Sequence, residues 1–156
     1  MPSTTSTLAR LLGLDVGSKT IGIAVSDALG ITAQGLPTLR RKNKRSDFRE
    51  LERVIRERGI SEIVVGYPLH MSGGPSAGSE RVAAFAEDLR RRFGLPVHLW
   101  DERLTTAEAQ RVLREAEMTV RRRAAVIDQM AAVLILQSFM ESRGTVQSQP
   151  QDQPGS

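Results

Sequence analysis

Two apolar stretches separated by four residues constrain this chain more than any other feature. Leu8 to Asp15 is a short apolar run with glycine soon after it, and Thr20–Ser26 (TIGIAVS) is β-branched and alternating. Runs of this length and type form strands rather than helices. Only residues 16–19 lie between them, so the two strands are expected to form an antiparallel hairpin. The same segment, GLDVGSKT, superficially resembles a phosphate-binding P-loop. That pattern needs a glycine where Ser18 stands and a helix where IGIAVS reads as a strand. Asp15 would also oppose a phosphate directly, so the P-loop reading is set aside.

The rest of the chain alternates between the two periods. A weaker third strand is expected near Ala33–Leu39. Ser46 is placed to cap a helix running to about Arg58, with Phe48, Leu51, Val54 and Ile55 on one face and Gly59 as its stop. Ile63–Val65 reads as a buried strand ending at Gly66. Residues 68–79 read as a long, flexible loop, followed by a helix to about Phe93 with Val82, Phe85, Ala86 and Leu89 at helical spacing. Gly94 and Pro96 end that helix, and Val97–Trp100 is another strand. Thr105 or Thr106 caps the next helix, with Glu108 as the capping-box partner of Thr105. A final helix spans about 124–140. Late strands separated by helices should lie parallel to the first strand. The expectation is an α/β fold with a mixed five-stranded sheet, its first three strands antiparallel and its last two parallel to the first. Helices flank the sheet, and the chemistry is expected at its carboxyl-end crevice. One folded unit of about 8–143 is expected, between a disordered lead (1–7) and a disordered tail (144–156).

Composition narrows the chemistry. The chain has no cysteine and two histidines, His70 and His98. Disulfides, thiolate metal sites, a cysteine nucleophile and a histidine-rich zinc site are excluded, so any metal site must be built mostly from oxygen ligands. No run approaches the roughly 18 consecutive apolar residues of a membrane span. The polar start and Asp15 within the first apolar run speak against a secretory leader. The absence of cysteine is compatible with a reducing cytoplasm, the expected location.

Three acidic positions stand out. Asp15 ends an apolar strand, where a carboxylate is costly unless paired or bound to a cation; the alternative is an aspartate capping the turn. Asp128 sits among Ala124, Ala125, Ala131 and Ala132 on a helix stripe that continues to Ile135. The alternative there is a first-turn aspartate stabilised by the helix dipole. Asp101 and Glu102 end the strand beginning at Val97. Alternation sends them to opposite faces, with Glu102 on the side of Trp100 and His98, and leaves open which faces a site. Carboxylates from strand one, a late strand and the final helix suit hard cations. Two ions roughly 3.5–4 Å apart can activate water and stabilise the leaving oxygen in phosphodiester cleavage.

Basic residues supply the second ingredient. The chain carries 22 Lys and Arg against 18 Asp and Glu, a net charge of +4, and nearly all of its bases are arginines. Arginine's planar fork suits phosphate, although a coding bias toward arginine explains the same excess. Arg40, Arg41, Lys42, Lys44 and Arg45 form one cluster, and Arg90–Arg92 and Arg121–Arg123 form two more. Such runs either neutralise phosphates or coat a solvated helix. Arg121, Arg122 and Arg123 just precede Asp128 and are the favoured backbone contacts. Lys19 can meet a phosphate. Tyr67 either stacks on a base or joins the core, and His70 is either a loop residue or an aid to proton transfer.

Four segments resemble one known family: LGLDVGSKTIGIAVSD (12–27), VVGYPLHMSG (64–73), DERLTTAEA (101–109) and the run from Asp128 to Ala132. In this order they are similar to the YqgF/RuvX family over nearly all of residues 10–141. The resemblance implies an RNase H-like fold. It also implies activity as a Holliday junction resolvase or as a nuclease maturing the 5′ end of pre-16S rRNA. It places the acidic site at Asp15, Glu102 and Asp128, with Asp101 as a supporting ligand, around Mg²⁺ or Mn²⁺ in a two-metal site. Branched DNA or structured RNA would be the partner, with Lys19, Arg103 and the arginine clusters along its backbone and no membrane involved. Symmetric junction cleavage needs two active sites, so a homodimer is the matching assembly. Tyr67 stands where the family usually has an aliphatic residue, His70 where it has Asn, and Gln129 where it commonly has Lys.

Overall fold

The structure, a computed structural model, describes residues 10–68, 74, 76–102 and 129–143. The expected lead and tail, Thr105 and Thr106, and the site candidates His70, Arg103, Arg121, Arg122, Arg123 and Asp128 lie outside the described residues. The elements run β1 (Arg10–Val16), β2 (Thr20–Ser26), β3 (Ala33–Arg40), α1 (Lys44–Arg58), β4 (Ile60–Tyr67), α2 (Ala77–Phe93) and β5 (Val97–Asp101). A last helix, α3, covers 129–143. The five strands form one sheet in the order β3-β2-β1-β4-β5. β1–β2 and β2–β3 are antiparallel, whereas β1–β4 and β4–β5 are parallel. This is the mixed sheet that the element order predicts.

Several boundaries differ from the sequence expectation. β1 begins at Arg10 within the described residues, and its last residue is Val16, one beyond Asp15. Asn43, not Ser46, caps α1: its side-chain oxygen accepts the Ser46 backbone N–H at 2.8 Å. Both residue types cap well, and the helix simply starts one turn earlier. β4 is longer than Ile63–Val65 at both ends. The loop after it is shorter than expected, because Ser76 caps α2 through a reciprocal pair of bonds with Ser79. Gly59 and Gly94 terminate α1 and α2 in the left-handed conformation, as predicted.

Strand alternation divides the core in two. Leu12, Leu14, Ile21, Ile23, Ile63 and Val65 point to one face and pack with α1 and α2. Leu11, Ala24 and Val64 point to the other and meet Ala132, Ile135, Leu136 and Met140 of α3. α3 lies very close to the sheet: a Cβ at Gly13 would stand 2.9 Å from the Leu136 Cβ. Its far end is fixed by Arg143, which donates to both carboxylate oxygens of Glu62 at 3.1 and 2.9 Å. His98 sits 2.8 Å from the same carboxylate. Among the described residues, no helix is long and apolar enough to cross a membrane.

Candidate active site

Parallel strands β1, β4 and β5 bring their carboxyl ends to one edge, where an α/β sheet opens its crevice. Asp15 lies near the end of β1, opposite Gly22 of β2. Its place in the alternation puts it with Leu11 and Gly13 on the α3 face. Glu102 follows directly on β5 and has the parity of His98 and Trp100. Both of those side chains pack on Phe139 of α3, with Trp100 also donating to the Ser138 hydroxyl at 3.2 Å. Asp15 and Glu102 therefore share a face, although β4 runs between their strands. Gly66 of β4 makes the approach feasible: a Cβ there would stand 2.7 Å from Glu102 Oε1 and 2.5 Å from Ile135 Cδ1.

The two carboxyl groups are hydrogen-bonded to each other. Burial, then the Asp15 hydrogen bond and charge, and finally the charge of Asp101 push Glu102 up to about 8. Two carboxylates in such a site cannot both ionise cheaply. Near neutral pH the pair therefore retains a proton, in a place that a divalent cation would fill with charge of the right sign. The donors are all oxygen, which fits Mg²⁺ or Mn²⁺. Among the described residues, no three His, Cys, Asp or Glu side chains are grouped so as to hold an ion by themselves. Asp101, paired in register with Tyr67, contributes charge to the site.

The acidic pair opens into a cleft of about 520 Å³ that runs between α1 and α2, with Arg41, Lys44 and Arg81 on its walls. Of the predicted cluster Arg40, Arg41, Lys42, Lys44 and Arg45, Arg41 and Lys44 line this cleft. The Arg41 guanidinium donates to the Gly17 carbonyl at 2.8 Å, pairs with Asp47 at 3.4 Å and lies over the Phe85 ring. Arg40 and Lys42 line a separate groove between β3 and α1. Lys19 is exposed on the β1–β2 turn. Tyr67 is half-buried and packs against the core. The helix arginines are largely occupied: Arg90 pairs with Glu87, Arg91 with Asp88, and Arg53 with Glu50 and Glu57.

Three contributors were not visible in the sequence. Gly66 acts by the space it leaves. Asp47, 2% exposed, accepts the Lys42 backbone N–H at 3.0 Å and anchors Arg41. Arg81 faces the cleft from α2, and its only signal was its position one turn into an amphipathic helix.

Comparison with known proteins agrees with this architecture. The family model described as "RuvX: Holliday junction resolvase" matches residues 9–142. A protein of Koribacter versatilis named "Putative pre-16S rRNA nuclease" is 55% identical over 141 residues, covering 90% of this chain and 92% of the relative. One of the same name from Moorella thermoacetica is 53% identical over 135 residues, covering 86% and 96%. Among solved structures, T. thermophilus RuvC in complex with a Holliday junction substrate superposes with a TM-score of 0.54 at 17% identity, covering 88% of this chain and 97% of that one. The fowlpox virus Holliday junction resolvase gives 0.51 at 12% identity, covering 85% and 99%. At these identities the two structures speak for the fold, which is RuvC-like.

Proposed function

Because the chain belongs to the RuvX family of Holliday junction resolvases, we propose that it is a divalent-metal-dependent endonuclease acting on branched DNA or structured RNA. The observation that carries this reading is the hydrogen-bonded Asp15–Glu102 pair at the carboxyl ends of β1 and β5. Asp15, Glu102 and Asp128 are the proposed ligands of Mg²⁺ or Mn²⁺, with Asp101 in support. Bound there, the metal would supply an activated water and neutralise charge on the leaving oxygen. The chain's own residues do the rest. The crevice positions the scissile phosphate beside the acidic pair. Arg41, already fixed by Gly17 and Asp47, faces the incoming backbone. Lys19, Arg40, Lys42, Arg103 and Arg121–Arg123 extend the contacts, as backbone-positioning groups rather than readers of sequence. Tyr67, at the end of β4, and His70, three positions on in the sequence, are proposed flanking contacts. A homodimer would present two such sites to the two strands of a junction.

A second reading shares the same chemistry but takes the 5′ region of pre-16S rRNA as substrate. It is favoured by the names of the relatives at about half identity. Offering a synthetic four-way DNA junction and a pre-16S 5′ fragment side by side, with Mg²⁺ and with Mn²⁺, separates the two. Tight binding without cleavage of either under any divalent ion would contradict both and leave a nucleic-acid-binding scaffold.

A further inference from the structure

We infer that the cleft between α1 and α2 is a phosphate subsite for the strand adjoining the scissile bond, with Arg81 as its principal cation. This deepens the reading above and rests on it for the location of the scissile bond.

Among the described residues, three cations line the cleft beside Asp15 and Glu102: Arg41, Lys44 and Arg81. Two of them are already engaged. Lys44 Nζ lies 2.9 Å from Asp88, and Arg41 is held by Asp47 and the Gly17 carbonyl. Arg81 is exposed and has no acidic partner among the described residues. Its guanidinium lies over Gly78, with Nη2 3.8 Å from where a Cβ would stand. Several other arginines on these helices take intrahelical carboxylates: Arg90 with Glu87, Arg91 with Asp88, Arg53 with Glu50 and Glu57. Arg45, Arg49 and Arg58 likewise have no acidic partner among the described residues, but of these four only Arg81 lines the cleft that Asp15 and Glu102 also line. An unneutralised planar fork, aimed into a cleft with carboxylates at one end, suits a bidentate phosphate oxygen pair. Further along, Lys44 and Phe48 also line an adjoining depression with Arg45, Arg91 and Arg92. A strand leaving the acidic pair would thus pass Arg81 and Arg41 and then meet a second basic surface.

The test is anisotropy titration of a labelled synthetic four-way junction in EDTA, from about 50 to 200 mM salt, the range over which phosphate contacts dominate affinity. Arg81→Gln is expected to weaken binding about three- to tenfold, with the slope of log K against log salt shallower by about 0.9, one phosphate's worth. Arg81→Lys should keep most of the slope. Arg49→Gln removes an exposed α1 cation outside the cleft lining and should change neither quantity. An Arg81→Gln affinity and slope equal to wild type would overturn the subsite, whether or not the protein cleaves. Arg81-dependent binding by a wild-type protein that cleaves nothing with Mg²⁺ or Mn²⁺ would uphold the subsite and sink the nuclease reading alone.

Discussion

Glu102 reaches Asp15 across the width of an intervening strand. The two residues sit at the ends of β5 and β1, with β4 between them, yet their carboxyl groups are hydrogen-bonded. The contact depends on the bare backbone of Gly66 beneath the Glu102 side chain. Burial of this pair, not any one residue's identity, makes the site chemically unusual.

Gly66→Ala tests that dependence. The new methyl would collide with Glu102 Oε1 and Ile135 Cδ1. Both are side-chain ends, so the fold should survive with a loss of about 1–3 kcal/mol, typical of overpacking. Displacing Glu102 should cost more in function, on the order of a hundredfold in cleavage rate, as small misplacements of catalytic groups do. Thermal melting and single-turnover cleavage measure the two effects separately.

The acidic pair should also imprint itself on stability. Burial and Asp15 raise Glu102 in the folded state from 4.5 to about 8. A raised group contributes stability that is fully present below its unfolded value and is lost as pH rises through its folded value. In EDTA, Tm should therefore fall between about pH 5 and 9, and Glu102→Gln should flatten that fall. Glu62 behaves oppositely. The Arg143 hydrogen bond, opposed by burial and reinforced by His98, holds its carboxyl below the usual range, so its contribution is present above the unfolded value and is lost as the solution is acidified. Glu62→Gln should lower Tm at neutral pH and have little effect in strong acid.

Asp47 should prove structural for the basic wall of the cleft. Asp47→Ala removes an acceptor for the Lys42 N–H and releases Arg41. The Lys42 N–H is near the surface and can turn to water, so the cost should be about 1 kcal/mol, that of one ordinary hydrogen bond, plus that of the loosened Arg41. Asp47→Asn keeps one acceptor oxygen and should cost less. Melting of the two variants, alongside the salt slope of junction binding, tests both roles.

The sheet was legible because its strands carry clear signals. The four-residue gap after Asp15 forces a hairpin, and the intervening helices force parallel pairing. Helix ends at Gly59 and Gly94 were legible because no other residue sits as comfortably at positive φ. Asn43 was missed because Ser46, three residues on, belongs to the same capping class. The start of β4 was missed because Glu62, a poor strand residue by type, is held by His98 and Arg143, which lie 36 and 81 residues away. Asp15 stood out as a carboxylate ending an apolar strand, and alternation alone put Glu102 with Trp100 and His98. Gly66 and Arg81 were not legible. One works by absent volume and the other by having no acidic partner among the described residues, and neither leaves a pattern in residue type.

Cleavage by Asp15→Asn, measured beside wild type on a four-way junction and a pre-16S 5′ fragment with Mg²⁺ and Mn²⁺, tests the central claim most directly. The amide keeps the shape of the side chain but withholds the charge a hard cation needs. The expected result is loss of cleavage by at least about a hundredfold, as when a catalytic group is removed, with junction binding in EDTA retained. Wild-type cleavage rates from a clean Asp15→Asn preparation would contradict the assignment of the Asp15–Glu102 pair as the catalytic centre.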